Sequence, residues 1–171
     1  MSTITQQHNI KMDKKLRAET PIQFLIKGIT TEQFALIESA FQEGQPAQVS
    51  TNIAFSTDVD NRLIGTFVRF DFLQNGFPII ILEVALHFQI KEESWSIMYD
   101  IENKETILSK AFAIHLAFLV IGTARGVLHT KIENTVFYKF IIPTIDLTKM
   151  FDDEVTVKPS ELQYTSKPVF H

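Results

Sequence analysis

The chain has no cysteine among its 171 residues, which excludes disulfides, thiol catalysis and thiolate zinc sites. It also lacks an excess of cations: 16 Lys and Arg stand against 20 Asp and Glu, for a formal charge of −4. Nucleic-acid binding needs clustered positive charge, so no nucleic-acid partner is expected. No Gly-x-Ser-x-Gly, dinucleotide fingerprint, Walker motif or His-Glu-x-x-His occurs, so no catalytic residue, metal site or cofactor is assigned and the chain is not read as an enzyme. The stretch MSTITQQHNIKMDKKLRAET has no continuous apolar core. No export signal is therefore expected, and the chain is expected to stay in the cytoplasm. There is neither an internal repeat nor a low-complexity segment.

What is present is apolar and aromatic. Fifteen phenylalanines accompany three tyrosines and one tryptophan, more than one core needs, so some are expected to line an apolar binding surface. The length suits a single domain with a real core. Residues 1–20 are polar and aperiodic and read as a flexible arm, residues 21–151 as the domain, and residues 152–171 as an extended tail.

Within the domain, Ile22, Phe24 and Ile26 alternate with polar neighbours as in a first strand. Residues 31–43 place Phe34, Ile37 and Phe41 three and four apart, which fits a short helix or an irregular aromatic loop. Val49, Thr51, Ile53, Phe55 and Thr57 then alternate in a second strand. Ile64, Val68, Phe70 and Phe72 do so in a third, and Ile80, Leu82, Val84, Leu86, Phe88 and Ile90 in a fourth. Asp60-Asn61 and Asn75-Gly76 mark the turns of an antiparallel meander. The stretch Thr106 to Thr130 reads as one long helix with Asn103 as its cap and Glu105 in its first turn. It is apolar all round, so it is expected to be covered on every side. His115, Thr123 and Arg125 interrupt it too often for a bilayer span, and no membrane insertion is expected. Its stripe of small side chains, Ala113, Ala117 and Ala124 with neighbouring Val120, is the expected contact with a second subunit. After Pro143, Asp146 is expected to cap a short turn carrying Leu147, Met150 and Phe151.

Four strands, a long buried helix ending in Thr123-Ala124-Arg125-Gly126 and a segment built on Pro143-Thr144-Ile145-Asp146 resemble the SecB family of export chaperones over roughly residues 20–151. The resemblance implies an α+β subunit with a four-stranded antiparallel sheet. It also implies a long helix packed at an oligomer interface, in a dimer or tetramer. The implied activity is ATP-independent capture of unfolded or nascent polypeptides, for protein export or for protection of an antitoxin, with the translocase motor as a further partner. Asp58, Asp60 and Glu83 are the acidic candidates for a motor contact.

Phe34, Phe41, Phe77, Trp95, Phe137, Tyr138 and Phe140 lie at element ends or in connections, where core packing is the default and a peptide-binding surface the sharper reading. Arg125 can bind a carboxylate or, as late-helix arginines more often do, hold backbone carbonyls. His115 reads as a lone core or interface histidine, and Glu83 with His87 as a solvated pair rather than half of a metal site. Gly122 and Gly126 imply close packing at most. The alternative to a chaperone is a small apolar-ligand-binding domain with an internal pocket between sheet and helix, floored by Arg125 or His115.

Overall fold

The computed structural model describes residues 14–17 and 19–159, together with the backbone of 163–164 and 169–170. Much of the expected arm and tail lies outside these residues. The fold is α+β. Strands β1 (Phe24–Leu36), β2 (Gln48–Asp58), β3 (Leu63–Gln74) and β4 (Phe77–Ile90) form an antiparallel sheet in the order β1-β4-β3-β2. The alternating residues of β2, β3 and β4 do face one core, where Ile53, Phe55, Ile64, Phe70, Leu82 and Phe88 are fully buried. Between β2 and β3 the side-chain amide of Asn61, then its backbone N–H, donate to Asp58, holding that carboxyl below its ordinary range. Between β3 and β4, Asn75 and Gly76 sit at φ of 50° and 81°, the two left-handed residues that a tight hairpin turn of matching twist requires.

The first strand corrects the sequence reading. It does not stop before residue 31 but runs through Leu36, and the helical option for 31–43 shrinks to one 3-10 turn at Glu38–Ala40. The register against β4 jumps between Ile26 and Gly28 and again between Thr31 and Gln33. Each bulge inserts one extra residue and shifts the alternation by one. Both shifts precede Phe34, so they break the alternation of the strand itself, and the helix-like spacing of Phe34, Ile37 and Phe41 falls where β1 ends at Leu36 and the 3-10 turn follows.

The connection from β4 also folds further than expected. Helix α1 (Glu92–Met98) leads into β5 (Tyr99–Asp100) and β6 (Glu105–Leu108), which join β7 (Val155–Val157) in a small second sheet. Asn103 caps no helix. Its side chain and backbone N–H donate to Asp100 in the β5–β6 turn. The long helix α2 spans Lys110–Ile132, and its cap is Ser109, whose hydroxyl accepts the Phe112 N–H at 3.3 Å. Part of the expected tail is thus in the second sheet. Beyond it β8 (Gln163–Tyr164) and β9 (Val169–Phe170) pair with β2 at its outer edge. Lys14 and Arg17 are tied to Asp153 and Glu154 by ion pairs.

Helix α2 lies across β3 and β4. Phe112, Ala113, Leu116, Ala117, Val120, Ile121, Ala124, Leu128 and Ile132 are buried. The opposite side, with Ala111, His115, Phe118, Gly122, Gly126 and His129, is exposed. The helix is therefore covered on one side only within the chain. By length and composition it is long and apolar enough to cross a bilayer, contrary to the expectation from its interruptions, while 44% of its most apolar window is packed inside this fold.

Candidate functional site

The chain leaving α2 shapes the surface of interest. A late-helix arginine holds it in place: Arg125 donates from Nε to the Ile142 carbonyl at 3.3 Å and from Nη2 to the Pro143 carbonyl at 2.7 Å. Carbonyl holding, the commoner role for such a residue, is what the geometry displays. Asp146 then accepts from Thr148 N–H and caps the 3-10 turn Leu147–Lys149, as expected. Hydrogen bonds from Thr148, then from Lys149, hold the Asp146 carboxyl below its ordinary range. Leu147, Met150 and Phe151 are driven into the core.

Two clefts border this segment. The first, of about 310 Å³, is lined by Phe41, Glu43, Gly44, Gln45, Val136, Tyr138, Lys139 and Phe140. Its floor is aromatic: the Phe41 ring lies 4.9 Å from Phe137 and 6.0 Å from Phe140, and Phe140 stands edge-on to Phe72 at 5.7 Å. Tilted and edge-to-face rings at these separations add stability beyond their buried area and make the floor rigid. Gln74 fixes the rim, its side chain donating to the carbonyls of Gln42 and Gln45 and accepting from Gln42 N–H. Above the floor Val136 and Tyr138 remain 54% and 56% exposed. The second cleft, of about 330 Å³, is lined by Phe118, Ile121, Arg125, Ile141, Ile142, Thr144, Ile145 and Leu147. Phe118 and Ile141 are 66% and 76% exposed on it.

Of the seven aromatic candidates, four come together at the first cleft. Phe41, Tyr138 and Phe140 line it, and Phe137 supports it from below, fully buried. Phe77 is exposed at the β3–β4 hairpin, and Phe34 sits on β1 with the Lys131 ammonium 4.8 Å from its ring centre. Trp95 is buried in α1, stacked on Tyr99. Trp95 and Phe137 are thus core side chains, the first with little surface to offer a peptide and the second with none. Sequence position at an element end does not distinguish an aromatic ring turned inward from one turned out. Val136, Ile141 and Phe118 were not singled out, because an apolar residue in an apolar run carries no mark of exposure.

The small stripe is placed differently from the expectation. Ala113, Ala117, Val120 and Ala124 have no exposed surface within the single chain and face its own sheet. Small side chains do allow close backbone approach there, but to β3 and β4 rather than to a second subunit. His115 is exposed on the flank of the helix beside β1, with the Phe24 ring at 5.8 Å, and Arg125 lies outside the sheet–helix layer. Neither floors an internal pocket. Glu83 faces away from the helix, is nearly buried, and lies 3.5 Å from Arg69, which Asp71 also holds at 2.9 Å. His87 Nε2 is 3.3 Å from the Thr30 hydroxyl. The two are therefore separately partnered. Of the three acidic candidates, Glu83 is engaged in this cluster, Asp58 in its turn and Asp60 is exposed.

No family model and no curated protein matches the sequence. Among solved structures, a SecB-like chaperone of Mycobacterium tuberculosis, in complex with a ChAD peptide from the HigA1 antitoxin, aligns over 80% of this chain and 99% of its own. The TM-score is 0.49 and the identity 11%.

Proposed function

We propose that this chain is a non-catalytic, cofactor-independent binder of extended, unfolded polypeptides. The observation that carries the reading is the pair of apolar clefts along 136–147, whose walls leave Val136, Tyr138, Phe118 and Ile141 more than half exposed. Rigid aromatic anchors in shallow clefts contribute most of the energy in peptide recognition, and apolar burial tolerates varied sequences. An internal-ligand reading has less support, because the sheet–helix layer is filled by large side chains and alanines of a single continuous core. Clients are unfolded chains in the cytoplasm, with preproteins and antitoxins the two classes that the resemblance implies.

The same reading includes a homodimer, formed at β1. Among the described residues this strand has no partner on its outer side, and Leu25, Ile26 and Ile29 are each more than half exposed on it. Its two bulges give it a near-palindromic face pattern. Phe24, Ile26, Ile29, Thr31, Phe34 and Leu36 register with buried residues of β4 and so share the helix side. Antiparallel pairing of two copies about Thr30 sets Ile29 against Thr31, Ile26 against Phe34 and Phe24 against Leu36, always on a common face. Lys27 then falls beside Glu32 and Gln33 of the second copy. A self-complementary patch of this kind is what a two-fold interface requires.

Suppression of aggregation of a slowly refolding client, followed by light scattering, tests the polypeptide reading. The native chain is expected to suppress scattering near stoichiometry. Val136→Asp with Tyr138→Asp is expected to weaken client binding by about tenfold or more while leaving circular dichroism unchanged, since lost anchors typically cost ~1–2 kcal/mol each. A native chain that leaves the scattering curve unaltered would overturn the reading.

A further inference from the structure

The second cleft combines apolar walls with a cation that meets no anion among the described residues. Arg125 lines it, and no carboxylate stands within ion-pair distance of its guanidinium among the described residues. Two of its five N–H groups are spent on the carbonyls of Ile142 and Pro143. Those bonds lock the guanidinium plane, since a fork held on one side loses little further freedom when a second ligand docks on the other. The remaining N–H groups have no protein acceptor among the described residues, and the positive charge is only partly hydrated because the side chain is half-buried. Phe118, Ile121, Ile145 and Leu147 surround it with apolar surface, and Thr144 adds a hydroxyl.

We infer that this cleft captures the free C-terminus of a polypeptide that ends in a bulky apolar residue. The terminal carboxylate sits on Arg125 and the last side chain lies among Phe118, Ile121, Ile145 and Leu147. This deepens the polypeptide reading and rests on it. A peptide C-terminus fits better than a free fatty acid because the cleft, of about 330 Å³, is open to solvent. Consecutive residues carry the apolar surface onward, from Ile141 at this cleft to Tyr138 and Phe140 at the aromatic one. A peptide anchored by its end can run on toward the aromatic cleft, whereas a fatty acid needs enclosed apolar length for its tail. A fixed guanidinium also discriminates between a carboxylate and a neutral amide, as charge-assisted bonds are roughly twice as strong as neutral ones.

Fluorescence anisotropy with a labelled octapeptide ending in Leu-Leu-Phe, as free acid and as C-terminal amide, provides the test. The acid is expected to bind the native chain about tenfold or more tightly than the amide. Arg125→Gln is expected to abolish that preference and Arg125→Lys to retain part of it. Because Arg125 also holds the segment, a second variant keeps the test open should Arg125→Gln fail to fold. Ile141→Glu, at an exposed wall position, supplies a carboxylate in cis and is expected to erase the preference in a folded protein. Equal binding of acid and amide would overturn the C-terminus inference and leave the polypeptide reading standing. Failure of both peptides to bind would remove the polypeptide reading itself. Displacement of the acid peptide by decanoate at equal concentration would assign the cleft to a fatty acid and overturn the inference in another way.

Discussion

Thr51 and Thr66 place hydroxyls on the helix side of β2 and β3, fully buried, and neither oxygen has a hydrogen-bond partner among the described residues. A threonine suits a strand through its branched Cβ, and the alternation in which both sit is the pattern that made these strands legible. The pattern reports which face a residue joins, not whether its hydroxyl finds an acceptor there. An unmet hydroxyl in such a place costs ~1–3 kcal/mol. Thr66→Val keeps the shape and removes the polar atom, and is expected to raise stability by about 1 kcal/mol, read as a higher urea midpoint at unchanged slope. A lower midpoint would mean that the hydroxyl is satisfied by buried water. Exposure is the other property that sequence withholds at this scale. Tyr138 and Phe137 are neighbours, one more than half in solvent and the other wholly inside.

At the scale of elements, β2, β3 and β4 were legible because one face of each is buried and the turns between them use residues with a steric reason to be there. The first strand was not, since two bulges break its period, and the second small sheet was not, since strands of two to four residues carry too little pattern. Helix α2 was legible as a helix but not in its orientation. With large and small side chains spread around it, which side meets the sheet is decided by fit, and the alanines allow the closest approach. That orientation makes opposite demands on two substitutions. Ala117→Glu puts a carboxylate into a site with no exposed surface and is expected to cost about 3–5 kcal/mol, leaving the chain unfolded or insoluble rather than cleanly monomeric. Gly126→Ala lies on the open side, where an added Cβ meets nothing within 4 Å. It is expected to gain ~0.5–1 kcal/mol from helix propensity. A soluble Ala117→Glu protein with a native-like thermal midpoint, or a lowered midpoint for Gly126→Ala, would contradict the placement of the helix.

For the whole molecule, the two edges of the sheet differ. The β2 edge carries the chain's own strands at residues 50–51 and 54–55, whereas β1 is open among the described residues and apolar along its helix side. Ile26→Lys with Ile29→Lys places two ammonium groups on that edge, a device that natural sheets use against pairing. Light scattering after size-exclusion chromatography is expected to show a dimer for the native chain and a monomer for the double variant, with unaltered circular dichroism. A native monomer, or a variant of undiminished mass, would remove β1 from the assembly.

A sheet with one bonding edge has a valence of one. Two such units saturate each other, whereas linear growth into a fibre requires two free ends per unit. The short strands laid against β2 therefore act as a chain terminator in the polymer chemist's sense. In the proposed dimer, severing them would turn a unit that stops at two into a bifunctional monomer.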